Sequence, residues 1–393
     1  MTVNAQVRPN VIVVMGVIAV IAFTLRVGLT SVPSVLESIQ GSTGWSDVTL
    51  GALTTIPVLC MGVFALQVPR FARRIGTRAA VTFGLVLLAV GMAVRGLESL
   101  PYLLFVAAFL VGLGIAVVAG LVPALVRSVM PAATGLGSGI WTAVMFTGAA
   151  LGGALTPTFA LWFGSWGWAL AVWAIPAVLA VLLWWPTPTP QYAAMATSPV
   201  RIRELPWRDH RAWALTLYSA TNSIVFYSTV AWLAPSYVER GNSQAAAGGL
   251  FGVYVIGTIV AGLLLPWIGH RVRGRRFLLA IVVVLASAML LVIGFAPDTA
   301  TLPVLILFGF ALSGSFALVL ALLSEYGSDA AGSARLTAMV LFVTYVLAAL
   351  GPLFIGALIA ATDSWPLVYS VLAILCLAQA AFVVPLRRDV RIG

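Results

Sequence analysis

The sequence predicts an all-α polytopic membrane protein, with twelve transmembrane helices in two pseudo-symmetric six-helix bundles. Three observations predict it. The 393 residues are 62% hydrophobic and 8% charged, with a mean hydropathy of +1.09, which no soluble globular domain sustains. The apolar residues gather into runs long enough to cross a bilayer as helices, joined by short polar connectors. The second half of the chain also repeats features of the first.

In chain order, spans are expected near 11–36, 47–68, 78–96, 101–126, 135–163 and 167–185. A second set follows near 212–236, 246–268, 277–296, 302–324, 335–360 and 366–386. Between the sets, 186–211 opens with Trp185-Pro186-Thr187-Pro188-Thr189-Pro190. It continues through Arg201, Arg203, Glu204, Arg208, Asp209 and Arg211. Proline removes helix donors and the charges need water, so this stretch reads as a solvated linker. The expected division is 1–185, linker 186–211 and 212–393.

All 21 basic residues are arginine. The net charge of +10 suggests nucleic acid until the arginines are placed, because they lie between apolar segments. With the N-terminus inside, 18 arginines fall in inside connectors and tails, Arg95 and Arg240 fall outside, and Arg26 lies in the membrane. That asymmetry predicts an even number of spans with both termini cytoplasmic. Cys60 and Cys376 each sit in an apolar run, with no metal or disulfide spacing. No cleavable signal peptide is evident, and no cofactor motif is present.

The repeat has an offset of 197 residues. Ser46, Gly51, Leu53, Pro69 and Arg74 recur as Ser243, Gly248, Leu250, Pro266 and Arg271. Pro33-Ser34-Val35-Leu36-Glu37 is echoed by Pro235-Ser236-Tyr237-Val238-Glu239. Two related bundles would hold a substrate between them near the midplane.

Arg26 interrupts the first apolar run about 22 Å from its start, at 1.5 Å of rise per residue. A guanidinium at that depth costs on the order of 3 kcal/mol and must face other helices or a water-filled cavity. Its functional reading is an anion ligand in a translocation pathway. Its structural reading is an arginine bonded to backbone carbonyls and tyrosines of neighbouring helices. The seventh span crowds Tyr218, Asn222, Ser223, Tyr227 and Ser228 onto one helix, too polar for a lipid-facing surface. Asn222 and Tyr227 can donate to a bound anion, or else join helices to each other. Thr30, Trp141, Met145, Phe316 and Tyr345 are candidate lining residues.

The six-plus-six pattern with these connectors resembles the major facilitator superfamily. Pro69-Arg70-Phe71-Ala72-Arg73-Arg74-Ile75-Gly76-Thr77-Arg78 occupies the place of its connector signature, with Arg73 where aspartate is usual. The resemblance implies conformational roles for Arg74, Gly76 and, in the second half, Arg271. Leu53-Thr54-Thr55-Ile56-Pro57, Pro123-Ala124-Leu125-Val126-Arg127, Trp232-Leu233-Ala234-Pro235 and Gly351-Pro352 are similar to the cyanate and 2-nitroimidazole permease branch. That branch implies Arg26 as anion ligand. Thr24-Leu25-Arg26-Val27 differs from its Asn-Leu-Arg-Pro, so cyanate itself is not carried over.

No aspartate, glutamate or histidine lies at the middle of any expected span, so a mid-depth carboxylate relay has no candidate. Glu325, at the inner end of the tenth span, is the nearest coupling candidate. An enzyme would need paired carboxylates, metal ligands or a nucleophile–base pair, and none is present. The sequence therefore predicts a monomeric secondary transporter of the bacterial inner membrane that moves a small, anionic molecule by alternating access. Efflux of a neutral or aromatic compound, with Arg26 structural, is the alternative. Its partners would be that substrate and the lipid bilayer, not nucleic acid.

Overall fold

The computed structural model describes residues 11–187, 200–271, 275–295, 301–326 and 330–383. Among these, all regular structure is helical. α1 (Val11–Thr30) ends before Pro33, and a 3-10 turn at Pro33–Val35 leads into α2 (Leu36–Thr43). The continuous span expected over 11–36 is thus broken, because Pro33 has no N–H to extend the ladder. Gly44, at φ +68°, closes α2 by donating its N–H to the Gln40 carbonyl at 2.8 Å.

α3 (Asp47–Ala65) begins at Ser46, whose hydroxyl accepts from the Thr49 N–H. α4 (Val68–Ile75) is a short amphipathic helix ending in Arg73 and Arg74. It stops at Gly76, whose φ of +88° suits a residue without a side chain. α5 (Thr77–Val94), α6 (Leu103–Val129) and α7 (Thr134–Phe163) follow. The sixth expected span is two helices, α8 (Trp166–Ala171) and α9 (Ala174–Trp184), parted just before Pro176.

Of the expected linker, residues 186–187 and 200–211 are described. Arg70 Nη2 donates to the Val200 carbonyl at 3.4 Å, and Asp209 caps α10 (His210–Glu239) through the Arg211 and Ala212 N–H groups. α11 (Gln244–Arg271), α12 (Arg275–Phe295), α13 (Thr301–Tyr326), α14 (Ala330–Thr362) and α15 (Trp365–Val383) complete the chain. Among the described residues, 11 stretches can cross a membrane by length and composition, with α8 and α9 forming one and α1 to α2 another. α10, at 30 residues, makes the twelfth helix, and its polar interior sets it apart. Large apolar side chains such as Trp162, Ile175, Phe277 and Ile374 are exposed around the outside, as a lipid-facing belt requires.

Glycines set how closely helices cross. A Cβ on Gly112 would stand 2.5 Å from the Pro57 Cα, so α6 rests directly on α3. Gly51 packs on the Pro352 carbonyl and Gly248 on the Gly153 carbonyl, which joins α3 to α14 and α11 to α7. Gly112 meets Pro57 midway along α3, whereas the Gly51 and Gly248 contacts lie towards the end of the molecule remote from the 186–211 linker, here the far end. Gln244 Nε2 donates to Glu37 Oε2 at 3.1 Å there, and Ser38 Oγ donates to Gln244 Oε1 at 2.9 Å.

One arginine departs from the sequence reading. Arg95, expected in an outside connector, is only 2% exposed. Its Nη2 donates to the Gly28 carbonyl at 2.8 Å and its Nη1 to Ser31 Oγ at 3.2 Å. The last carbonyls of α1 lack helical partners, and the guanidinium supplies one.

Candidate functional site

Arg26 lies in α1, one turn before the helix ends, and is half-buried. Its guanidinium carbon is 5.4 Å from the Phe146 ring centroid on α7 and 5.7 Å from that of Phe226 on α10. Two aromatic faces therefore share the positive charge. Among the described residues the ion pair is Arg201 with Glu204, so Arg26 has no carboxylate partner there. The Tyr227 hydroxyl faces Arg26 and the Tyr345 hydroxyl, and the two tyrosine rings meet edge-on at 6.3 Å.

These groups border a cavity of about 500 Å³. α1 contributes Leu25, Arg26 and Leu29; α7 contributes Trp141, Thr142, Met145 and Phe146. Asn222, Ser223, Phe226 and Tyr227 come from α10, Ser313, Phe316 and Ala317 from α13, and Leu341 and Tyr345 from α14. Pro123, Trp141, Ala317 and Leu341 lie towards the linker ends of their helices, so the cavity extends from mid-depth to the linker side.

The structure brings together five of the seven residues expected to bind substrate: Arg26, Asn222, Tyr227, Trp141 and Tyr345. Tyr218 and Thr30 stand outside the lining. Tyr218 is fully buried, its hydroxyl 2.6 Å from Ser315 Oγ. Thr30 Oγ1 lies 3.0 Å from the carbonyls of both Arg26 and Ala149, fastening α1 to α7. Asn222 reaches the cavity, yet its amide nitrogen is 3.1 Å from both the Leu312 carbonyl and Ser315 Oγ. Gln379 Oε1 lies 3.4 Å from the same nitrogen, so α10, α13 and α15 share one polar knot. Arg74 and Gly76 are exposed at the linker side. The side chains of Arg271 and Glu325 lie outside the described residues.

Sequence reasoning missed Phe146 and Phe226. Each neighbours a residue that was singled out, Met145 or Tyr227, but one phenylalanine among many on an apolar helix carries no signal of facing a cation.

A sequence profile of the Major Facilitator Superfamily matches residues 18–342 and again 237–391. The chain belongs to that superfamily. This major facilitator transporter is 33% identical to the 2-nitroimidazole transporter of Escherichia coli (strain K12) over 381 residues, 97% of this chain and 96% of that protein. It is 31% identical to the cyanate transport protein CynX of the same organism over 348 residues, 87% of this chain and 88% of that one. Among solved structures, the nucleoside transporter NupG aligns with a TM-score of 0.76 at 14% identity, over 95% of this chain and 98% of the other. That last likeness speaks to the fold alone. The protein is thus a polytopic membrane transporter of a small molecule, homologous to nitroimidazole and cyanate transporters.

Proposed function

We propose that this transporter carries a small, planar weak acid or its anion, one with an aromatic or apolar part, across the bacterial inner membrane. Arg26 is the anion ligand. The observation that carries this reading is a guanidinium on the border of a mid-depth cavity, with no carboxylate opposite it among the described residues. A planar fork of donors suits a planar oxyanion, and a cation brought beside it would be repelled. The cavity of about 500 Å³ falls in the range of small-molecule sites and far exceeds what a triatomic ion needs. Its walls include Phe226, Phe316 and Trp141, which offer ring contacts. The names of the two relatives, 2-nitroimidazole and cyanate, both denote small planar compounds, which agrees with this class.

Transport proceeds by alternating access, residues 1–185 rocking against 212–393 about the cavity, with both termini cytoplasmic. In that orientation the linker-side cavity opens inward. The rival reading, efflux of a neutral aromatic compound with Arg26 structural, draws on Phe146 and Phe226, which already give the guanidinium two partners.

The test is binding and uptake of aromatic acids in proteoliposomes, wild type beside Arg26→Ala. Loss of both with an unchanged melting temperature supports the anion reading. Saturable uptake of a permanent cation that survives the substitution would sink it.

A further inference from the structure

The serine and threonine hydroxyls of α10 are, with one exception, bonded or enclosed. Thr216, Thr221 and Thr229 each donate to the carbonyl one turn back, and Ser236 donates to that of Leu233. Ser219 and Ser228 have enclosed oxygens and stand outside the cavity lining. Ser223 is the exception. Its hydroxyl has no hydrogen-bond partner, yet its Oγ is not enclosed, and the residue lines the cavity. Since Ser223 is otherwise buried, at 4% exposure, the space open to that oxygen is the cavity. Phe226 and Tyr227, three and four residues on, share its helix face, and both meet Arg26.

On the other half of the chain, α7 repeats the arrangement. Thr142 lines the cavity four residues before Phe146, on the face that carries this ring to Arg26. Its methyl carbon is turned to Gly262 of α11, and its hydroxyl is neither bonded nor enclosed. Thr258 and Ser313 also line the cavity, but the first donates to the Tyr254 carbonyl and the second has an enclosed oxygen. α7 and α10 both run away from the linker side. The two open hydroxyls therefore stand one turn, about 5.4 Å, on the linker side of the rings that flank Arg26.

We propose that Thr142 and Ser223 form a hydroxyl subsite that bonds a polar substituent on the substrate's ring and so determines specificity. This rests on Arg26 as the anchor of the acidic group. One helical turn is comparable with the span of an aromatic ring, so an acid gripped at Arg26 would place its far substituent at this level. The ligand class this fits is an aromatic acid bearing a hydroxyl or other hydrogen-bonding group opposite its carboxylate. Serine and threonine hydroxyls both donate and accept, so either kind of substituent is read.

The experiment measures binding to the full-length protein in nanodiscs at pH 7. It compares 4-hydroxybenzoate with 4-methylbenzoate, and the uncharged 4-hydroxybenzamide with 4-methylbenzamide, pairs that differ in polarity more than in size. Wild type is expected to prefer the hydroxyl member by about tenfold, because the methyl displaces water from the subsite and returns no hydrogen bond. The double variant Thr142→Val with Ser223→Ala should lose that preference while keeping its affinity for the methyl member. Its melting temperature should not fall, since neither hydroxyl joins helices. Thr142→Ser, which keeps the hydroxyl, should keep the preference. A preference that survives the double variant, an equal weakening of both members, a lowered melting temperature, or no preference in wild type for either pair overturns the proposal. Arg26→Ala separates the two readings. If it binds the acids as wild type does, or if wild type binds neither acid, the anion anchor fails, while the benzamide pair decides the subsite.

Discussion

Arg95 donates to the carbonyl of Gly28, two residues along α1 from Arg26. Two arginines thus meet the same short stretch of helix with opposite purposes. Arg95 is buried and spends its donors on Gly28 and Ser31. Arg26 is half-buried, leans on two aromatic rings and borders the cavity.

Arg95→Ala is predicted to destabilise the protein, because it leaves buried acceptors at the end of α1 unpaired. The cost should be about 1–3 kcal/mol. A clear fall in melting temperature in detergent, absent in Arg26→Ala, is the expected result. Equal melting temperatures would remove Arg95 from the structural role.

Arg26→Lys is predicted to lose at least about tenfold in anion affinity while folding normally. An ammonium keeps the charge but not the flat fork that grips a carboxylate with two parallel bonds. Titration of an aromatic acid against both proteins checks it, and affinity within a factor of two would show that charge alone suffices.

Tyr218→Phe is predicted to lower stability by about 1 kcal/mol, the worth of one buried hydrogen bond, through loss of its contact with Ser315. Substrate affinity should not change, since Tyr218 is outside the cavity lining. A Kd that moves with the melting temperature unchanged would return Tyr218 to the binding site.

Gly51→Val is predicted to shift the resting protein towards opening at the far end. Even a Cβ there would meet the Pro352 carbonyl at 2.8 Å, so the α3–α14 crossing cannot close as tightly. Gly84→Val, where a Cβ would meet Val118 across the α5–α6 crossing, should instead reduce stability. Cysteine labelling of far-end cavity positions distinguishes them: faster in the first, unchanged in the second.

The pH dependence of transport is predicted to follow the substrate. Among the described residues, the ionisable groups lining the cavity are Arg26, Tyr227 and Tyr345, and no carboxylate or histidine joins them. For acids of graded strength carried as anions, apparent affinity should fall as pH drops through each compound's own pKa. A single inflection shared by every compound would point to a titrating protein group elsewhere.

The helical architecture was legible because hydropathy and the arginine connectors follow from the bilayer, which acts on every residue of a span alike. Arg26 was legible for the same reason, as a charge too deep for water. Arg95 was not, since it lies at a span's edge where a connector residue and an inward-turned one look identical in sequence. The difference is made by the break in α1 that brings Ser31 and Gly28 to it. Tyr218 and Asn222 show the same limit. Polarity marked α10 as an interior helix, but which residues face α13 and which face the cavity depends on the helix rotation, fixed by Leu312, Ser315 and Gln379.

The polarity of α10 also bears on how the chain is made. A segment leaves the insertion machinery for lipid according to its own apolar balance. α1, α3, α5 and α6 carry enough apolar surface to do so as they emerge. α10 is more polar, and the groups that satisfy it, Leu312, Ser315, Pro352, Tyr369 and Gln379, belong to helices synthesised later. The partners of its polar groups therefore become available only once α13 to α15 have been translated. A nascent chain halted before that point would hold α10 without those partners.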